Sequence, residues 1–117
     1  MDLNEAIQKH AQWKFRFREA LLKNESMDAN VIAKDNQCDV GKWLHSEAKS
    51  LYAQRPAYAE CLARHAAFHA EAGKIATTIN AHHKDEAERM LANGSPFSEA
   101  SKAVSVALIE LQNEIGR

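Results

Sequence analysis

The longest helical pattern in the chain is PAYAECLARHAAFHAEAGKIATTINAH, residues 56–82. Proline suits the first position of a helix, where its missing N–H costs no hydrogen bond. Mostly apolar residues then recur every three or four positions, the period of one helix face; they are Tyr58, Leu62, His65, His69, Ala72, Ala76 and Ile79. The stretch predicts a long helix from Pro56 to about His82, with two histidines on its buried face.

The N-terminal segment predicts a second long helix, from about Leu3 to Asn24. Its inward stripe carries a histidine at its middle; the stripe is Leu3, Ile7, His10, Trp13, Phe17 and Leu21. Residues 25–37 are mostly polar or small and predict a loop with about one helical turn.

The stretch CDVGKWL, residues 38–44, predicts a short helix that ends near Ala48. Two polar residues precede it as candidate caps, Asp35 and Asn36. A glycine inside a helix costs about 1 kcal/mol relative to alanine, so Gly41 needs a compensating contact. It falls one turn after Cys38 and therefore on nearly the same face. We expect it to let the helix backbone press against the histidine-bearing helices and bring the sulfur to them.

Two more helical patterns complete the chain. Residues 85–91 predict a short helix ended by Asn93-Gly94, because glycine readily takes the left-handed conformation that closes a helix. Ser95-Pro96 begins a last helix that reaches Ile115. Three long helices and two short ones predict an all-α fold. We expect one domain, residues 1–117, built as a four-helix bundle with one short helix carrying the cysteine.

The composition narrows the functional classes. The 117 residues carry a net charge of −1 with acids and bases interspersed, so neither nucleic acid nor a membrane surface is an expected partner. No apolar run reaches the roughly 18 residues of a membrane span, and the N-terminus lacks the apolar core of a signal peptide. We therefore expect a cytoplasmic location, where two cysteines more often mean a packed thiol, a metal ligand or a reactive group than a disulfide.

Four side chains on buried faces predict a metal site. Two histidines spaced i and i+4, His65 and His69, project from one helix face with their Cβ atoms about 6 Å apart, a spacing that suits a single ion. His10 and Cys38 belong to neighbouring elements. Three neutral imidazoles in a core need a shared way to satisfy their ring nitrogens, and a metal ion supplies it.

Zinc suits this mixed nitrogen and sulfur donor set best among the common ions. A di-iron centre would need several inward carboxylates, and none lies on the apolar stripes. Haem would need a cavity for which the sequence offers no indication.

Three motifs carry a resemblance to a known family. They are His10-x-x-Trp13, Cys38-x-Val40-Gly41-x-Trp43 and His65-x-x-x-His69. Together they resemble the signature of the chemoreceptor zinc-binding domain (CZB), a bacterial regulatory module, over nearly the whole chain. The resemblance implies a helical bundle, often a homodimer, that binds zinc through the four residues corresponding here to His10, Cys38, His65 and His69.

The resemblance also implies an output partner in chemotaxis or cyclic-di-GMP signalling. Family members are usually fused to cytoplasmic chemoreceptors or to diguanylate cyclases. Neither a chemoreceptor signalling hairpin nor a diguanylate cyclase active-site motif occurs in this sequence. The expected function is a zinc-responsive or oxidant-responsive regulatory domain, and the two signals need the same ligands.

Two other functions remain open. A purely structural zinc bundle would use the same site. A zinc hydrolase would need an open coordination position and a nearby general base, so four protein ligands argue against it and we expect no enzymatic activity.

Several residues near the site have simpler interpretations. His45 is expected at the rim, and His82 and His83 at a helix end. Cys61 is most simply a packed thiol, with a resolving thiol for an oxidised Cys38 as the sharper alternative. We expect Asp35 or Asp39 to offset the charge of the metal ion, and Trp13 with Phe68 to shield it.

Overall fold

A computed structural model describes residues 1–116 as eight helices, and no strand occurs within that range. The helices are α1 (Leu3–Ala11), α2 (Trp13–Lys23), α3 (Ala29–Ile32), α4 (Asp39–Leu44), α5 (Glu47–Tyr52), α6 (Pro56–Asn80), α7 (Lys84–Met90) and α8 (Pro96–Ile115). The predicted all-α class is confirmed.

The segment holding α3, α4 and α5 forms one strut that runs antiparallel to α6. At one end the main chain of Met27 forms hydrogen bonds with the side chain of Asn80, near the end of α6. At the other end the Tyr58 hydroxyl, near the start of α6, donates to the Leu44 carbonyl at 2.7 Å. The cysteine-bearing helix α4 therefore lies against the first half of α6.

The other two struts are α8 and the pair α1–α2. Arg55, just before α6, reaches Glu114 near the end of α8, so these helices are antiparallel. Asn4 in α1 bonds Gln112 in α8 at 3.0 Å, which makes α1–α2 antiparallel to α8 as well. Four struts therefore alternate in direction around one core, which confirms the four-helix bundle.

The first predicted helix is one strut but not one continuous helix. It is interrupted at Gln12, whose N–H is shared between the carbonyls of Gln8 at 3.1 Å and Lys9 at 3.3 Å. Such sharing tightens the local turn toward 3₁₀ geometry. The strut ends at Lys23, and Asn24 takes the left-handed conformation with φ 58°.

The predicted short helix from residue 38 to about Ala48 is wrong in its extent. Helix α4 ends at Leu44, and α5 begins after His45 and Ser46. At this end two backbone carbonyls accept hydrogen bonds from side-chain hydroxyls. Ser46 Oγ donates to the Lys42 carbonyl at 2.6 Å, and the Tyr58 hydroxyl donates to the Leu44 carbonyl. Helix α4 stops here because those hydroxyls replace main-chain partners.

The remaining boundaries agree closely with the sequence patterns. Helix α6 stops at Asn80, two residues short of the prediction, where His82 adopts φ 63°. Gly94 has φ 82° before Ser95, whose hydroxyl accepts from the Ser98 N–H and caps α8. Among the residues described, no helix combines the length and the apolar character that crossing a membrane requires.

Candidate metal centre

Four side chains from three parts of the bundle meet beside the middle of α6. His10 comes from the last turn of α1, Cys38 from the residue before α4, and His65 and His69 from successive turns of α6. All three histidines are buried, with at most 4% of their surface exposed, whereas Cys38 is half-buried. The structure thus brings together the four residues that the sequence singled out.

The four donor atoms lie close enough to share one ion. The Nε2 atoms of His65 and His69 are 3.2 Å apart, and Cys38 Sγ lies 3.3 Å and 3.5 Å from them. With His10, one donor atom from each side chain lies within 4.8 Å of all the others. A tetrahedral zinc ion keeps two nitrogens about 3.3 Å apart and nitrogen and sulfur about 3.6 Å apart, given its usual bond lengths. Three of the four donors already have this spacing.

Backbone carbonyls fix the tautomers of two imidazoles. His10 Nδ1 donates to the Ala6 carbonyl and His69 Nδ1 donates to the Ile32 carbonyl, both at 2.8 Å. Because a carbonyl oxygen only accepts, both Nδ1 atoms must carry the proton. In the neutral rings both Nε2 atoms therefore present a lone pair to the cluster.

Hydrogen bonds among these side chains do not satisfy them. Only the His65 ring and the Cys38 thiol have a proton to give to the cluster, since the other two Nε2 atoms carry none. His10 Nε2 is fully buried and has no hydrogen-bond partner within residues 1–116. An unpartnered lone pair facing two imidazoles and a sulfur is what a metal ion would satisfy, so the donor set fits an ion. The buried Nδ1 of His65 also lacks a partner among the described residues.

Burial keeps the three imidazoles neutral. Burial, as the larger cause, and the neighbouring histidines His69 and His10 together lower the pKa of His65 to about 2. Burial also lowers the pKa values of His10 and His69, although their carbonyl partners oppose the shift. Neutral imidazole is the form that binds metal, so no proton competes for these rings near neutral pH.

Unlike the imidazoles, the Cys38 thiol must lose a proton before its sulfur can bind a metal ion. Burial raises the pKa of the Cys38 thiol, and the Gly41 N–H, 3.4 Å from the sulfur, partly offsets this. Without a cation beside it, this sulfur is protonated near neutral pH, and a metal ion would hold it as thiolate.

Gly41 lets α4 approach the histidines as closely as predicted. A Cβ atom at this position would overlap the carbonyl group of Asp35 and lie 3.1 Å from Cε1 of His65. The predicted caps Asp35 and Asn36 are wrong, because the cap of α4 is Cys38 itself, whose sulfur accepts from Gly41 N–H. The sulfur is therefore held by the same turn that the glycine allows to approach α6.

The carboxylates expected to offset the ion's charge have other partners. Asp35 bonds His45 at 2.9 Å, and Asp39 lies 3.6 Å from the Lys9 ammonium. His45 lies at the exposed rim as predicted. The sequence could not predict which backbone carbonyls orient the imidazoles, because every residue carries a backbone carbonyl. Asp35 still acts on His69 at longer range, where its charge favours the protonated ring.

The aromatic neighbours divide into two roles. The Phe68 ring lies 5.1 Å from the His10 ring and 5.4 Å from the His69 ring, so it covers the cluster as predicted. Trp13 stacks on Phe17, and the Arg16 guanidinium lies 3.9 Å over its ring. Two surface grooves, of about 750 Å³ and 560 Å³, are both lined by Trp13 and Cys38, so Trp13 marks the approach to the sulfur.

The second cysteine lies in a different environment. Cys61 is fully buried, and burial raises the pKa of its thiol to about 12. Both cysteines are free thiols. A resolving thiol attacks as thiolate, so this environment favours the packed role over the resolving role.

Comparison with known proteins agrees with this arrangement. No curated protein and no solved structure shows significant similarity to the chain. Residues 10–76 match the family model described as the chemoreceptor zinc-binding domain, CZB. The matched residues are more than half of the 117 in the chain and include all four members of the cluster. The chain belongs to the chemoreceptor zinc-binding domain family.

Proposed function

We propose that this chain is a zinc-binding regulatory domain in which His10, Cys38, His65 and His69 hold one ion. The observation that carries the proposal is the meeting of their donor atoms within 4.8 Å. The buried Nε2 of His10, which has no hydrogen-bond partner in the described part of the chain, supports it, since it leaves a lone pair that only a further group can satisfy. Three imidazoles and a thiolate favour zinc over harder ions, which prefer oxygen.

The regulatory element of the proposal is the turn that carries Cys38. Helix α4 has six residues and is too short to be stable on its own. Val40 and Leu44 bury it against the core, and the sulfur supplies a further anchor when an ion is present. Gain or loss of zinc would therefore change how firmly α4 is held, and with it the surface offered to a partner.

Oxidation of Cys38 is a second possible signal at the same atom. Cys38 is the one half-buried member of the cluster, and it lines both grooves. Its thiolate would attack one oxygen of a peroxide, giving two electrons as the O–O bond breaks. Hydroxide leaves and the sulfur becomes a sulfenic acid. Hypochlorite would deliver the same two-electron oxidation.

The proposed partners are a second copy of the chain and a signalling protein such as a chemoreceptor or a diguanylate cyclase. Four large apolar side chains on the outer faces of α2 and α8 support a protein partner; they are Phe15, Leu22, Val106 and Ile109, each at least 45% exposed. We place the domain in the cytoplasm, where its two free thiols stay reduced. Sizing at several concentrations tests the dimer.

A regulatory role is favoured over catalysis. Four protein donors fill a tetrahedral site and leave no position for a bound water, which a zinc hydrolase requires. A purely structural zinc bundle is distinguished by its response to metal removal. That bundle would lose its fold without a graded change in partner binding.

Metal analysis of the purified chain and of Cys38→Ala and His69→Ala tests the site. We expect one zinc per wild-type chain and less than half of that in either variant, because each loses one of four ligands. Lys42→Ala, at an exposed position of the same turn, is the control and should retain zinc. A wild type with less than half an equivalent under replete conditions, or variants with unchanged zinc, would contradict the proposal.

Titration with hypochlorite and with a chelator separates the two signals. If Cys38 is an oxidant target, hypochlorite releases zinc together with formation of one sulfenic acid per chain. An unreacted Cys38 would leave zinc concentration as the signal.

A further inference from the structure

The side-chain amide of Asn80, in the last turn of α6, holds the chain just before α3. Its Oδ1 accepts from the Met27 N–H at 2.8 Å, and its Nδ2 donates to the Met27 carbonyl at 2.7 Å. One side chain thus satisfies both main-chain groups of a residue 53 positions away. Two hydrogen bonds to the same residue fix its orientation as well as its distance.

Helix α3 depends on such outside support. It has four residues, and a helix of that length does not persist alone. Asp28 caps it, and the buried side chain of Ile32 packs into the core. Ala33 lies so close to α6 that a Cβ on Gly73 would be 2.6 Å from its own Cβ. The position of α3 along α6 is therefore set by contacts on both sides of it.

Helix α3 in turn orients a member of the cluster. The Ile32 carbonyl accepts from His69 Nδ1 at 2.8 Å. This bond fixes the tautomer and directs the Nε2 lone pair toward Cys38 and His65. A displaced α3 would remove the acceptor and free the ring to rotate or change tautomer.

We propose that Asn80 is a positioning residue for the metal centre: by holding Met27 it keeps the Ile32 carbonyl in place to orient His69. The inference rests on the proposed zinc site and extends it about three helical turns along α6. The route is continuous, from Asn80 through Met27 and α3 to the imidazole. Groups that orient a ligand imidazole typically contribute tenfold to a hundredfold in metal affinity.

Two variants separate this role from general stability. Asn80→Ala removes both bonds to Met27, whereas Asn80→Asp keeps the acceptor and loses the donor. Ile79→Val is the matched control, because Ile79 is buried beside Asn80 and the change costs about 1 kcal/mol without removing a bond to α3. All are compared as full-length, zinc-loaded chains.

The readouts are zinc release to an excess of chelator and solvent exchange of the His69 Nδ1 proton, followed by ¹⁵N NMR. We expect Asn80→Ala to accelerate both by about tenfold, Asn80→Asp to fall between, and Ile79→Val to match the wild type. Wild-type rates in Asn80→Ala, or equal acceleration in Ile79→Val, would overturn the inference.

The zinc content of the wild type, measured first, separates the two possible failures. A wild-type chain that takes up no zinc overturns the proposed function and this inference together. A zinc-loaded wild type whose Asn80→Ala variant behaves identically overturns this inference alone.

Discussion

The two halves of α6 are both buried, but different forces hold them. The second half packs hydrocarbon against hydrocarbon, with Ile75 and Ala76 fully buried. The N-terminal part, up to His69, turns His65 and His69 toward a third imidazole and a sulfur, and leaves one ring nitrogen of His65 without a partner among residues 1–116. Hydrocarbon burial is favourable without any further component, whereas a buried polar cluster is costly until its groups are satisfied. One helix thus combines a packed hydrocarbon core with a polar cluster whose donor atoms fit a metal ion.

Of the changes considered, removing zinc should produce the largest difference in stability between the two halves of α6. With a chelator we expect the melting temperature to fall by about 10 °C or more, because bound metal stabilises the native state by mass action. Hydrogen exchange should accelerate chiefly in residues 29–32 and 38–44, and least in residues 72–79. Uniform acceleration along the chain would contradict a localised dependence on metal.

Ile75→Ala tests the second half of α6, where hydrocarbon packs against hydrocarbon. Truncating this fully buried side chain should lower the free energy of unfolding by about 2–5 kcal/mol. Zinc content should stay at one per chain, since Ile75 is not part of the cluster. Urea unfolding and metal analysis measure both quantities. Leu51→Ala, at a position 59% exposed and outside the proposed partner surface, is the control and should change stability by less than about 0.5 kcal/mol.

Gly41→Ala tests the close approach of α4 to α6. Helix propensity alone predicts a gain of about 1 kcal/mol. The overlap with Asp35 and His65 should reverse the sign, giving a loss of about 1–3 kcal/mol and weaker zinc binding. Gly116→Ala is the control, because its nearest contact would be an ordinary 3.4 Å. A more stable Gly41→Ala protein with unchanged zinc affinity would refute the close-contact role.

The two cysteines should differ in reactivity, the smallest of these effects on the fold. In metal-free protein at pH 8, iodoacetamide should modify Cys38 and leave Cys61 unmodified, because the buried thiol has a pKa of about 12. The pKa of the Cys61 thiol is raised above its ordinary value of 9.0. The contribution of Cys61 to stability is therefore full below pH 9.0 and declines as the pH rises toward 12. Mass spectrometry of tryptic peptides measures the labelling, and Cys61→Ala should remove the decline. Equal labelling of both thiols would show that Cys61 is accessible.

The sequence predicted the elements that depend on long patterns. The stripe of α6 and the proline at its start fixed that helix to within two residues, and the histidines fell on the predicted buried face. The cluster was also predictable, because imidazoles are rare on apolar stripes and their spacing constrains where they meet.

The misses involve contacts between distant residues or main-chain groups. The end of α4 depends on the Tyr58 hydroxyl, which only the folded chain brings to the Leu44 carbonyl. The carbonyls that orient His10 and His69 have no side-chain signature. Asp35 was expected to cap α4 or to offset the ion, but its carboxylate reaches His45 instead. Short-range rules identify possible partners, and tertiary packing selects among them.

X-ray absorption at the zinc edge of the loaded chain tests the central claim most directly. We expect three nitrogen donors at about 2.0–2.1 Å and one sulfur at about 2.3 Å, with the sulfur signal lost in Cys38→Ser. A wild-type spectrum with no sulfur donor, or a sulfur donor that persists in Cys38→Ser, would contradict it.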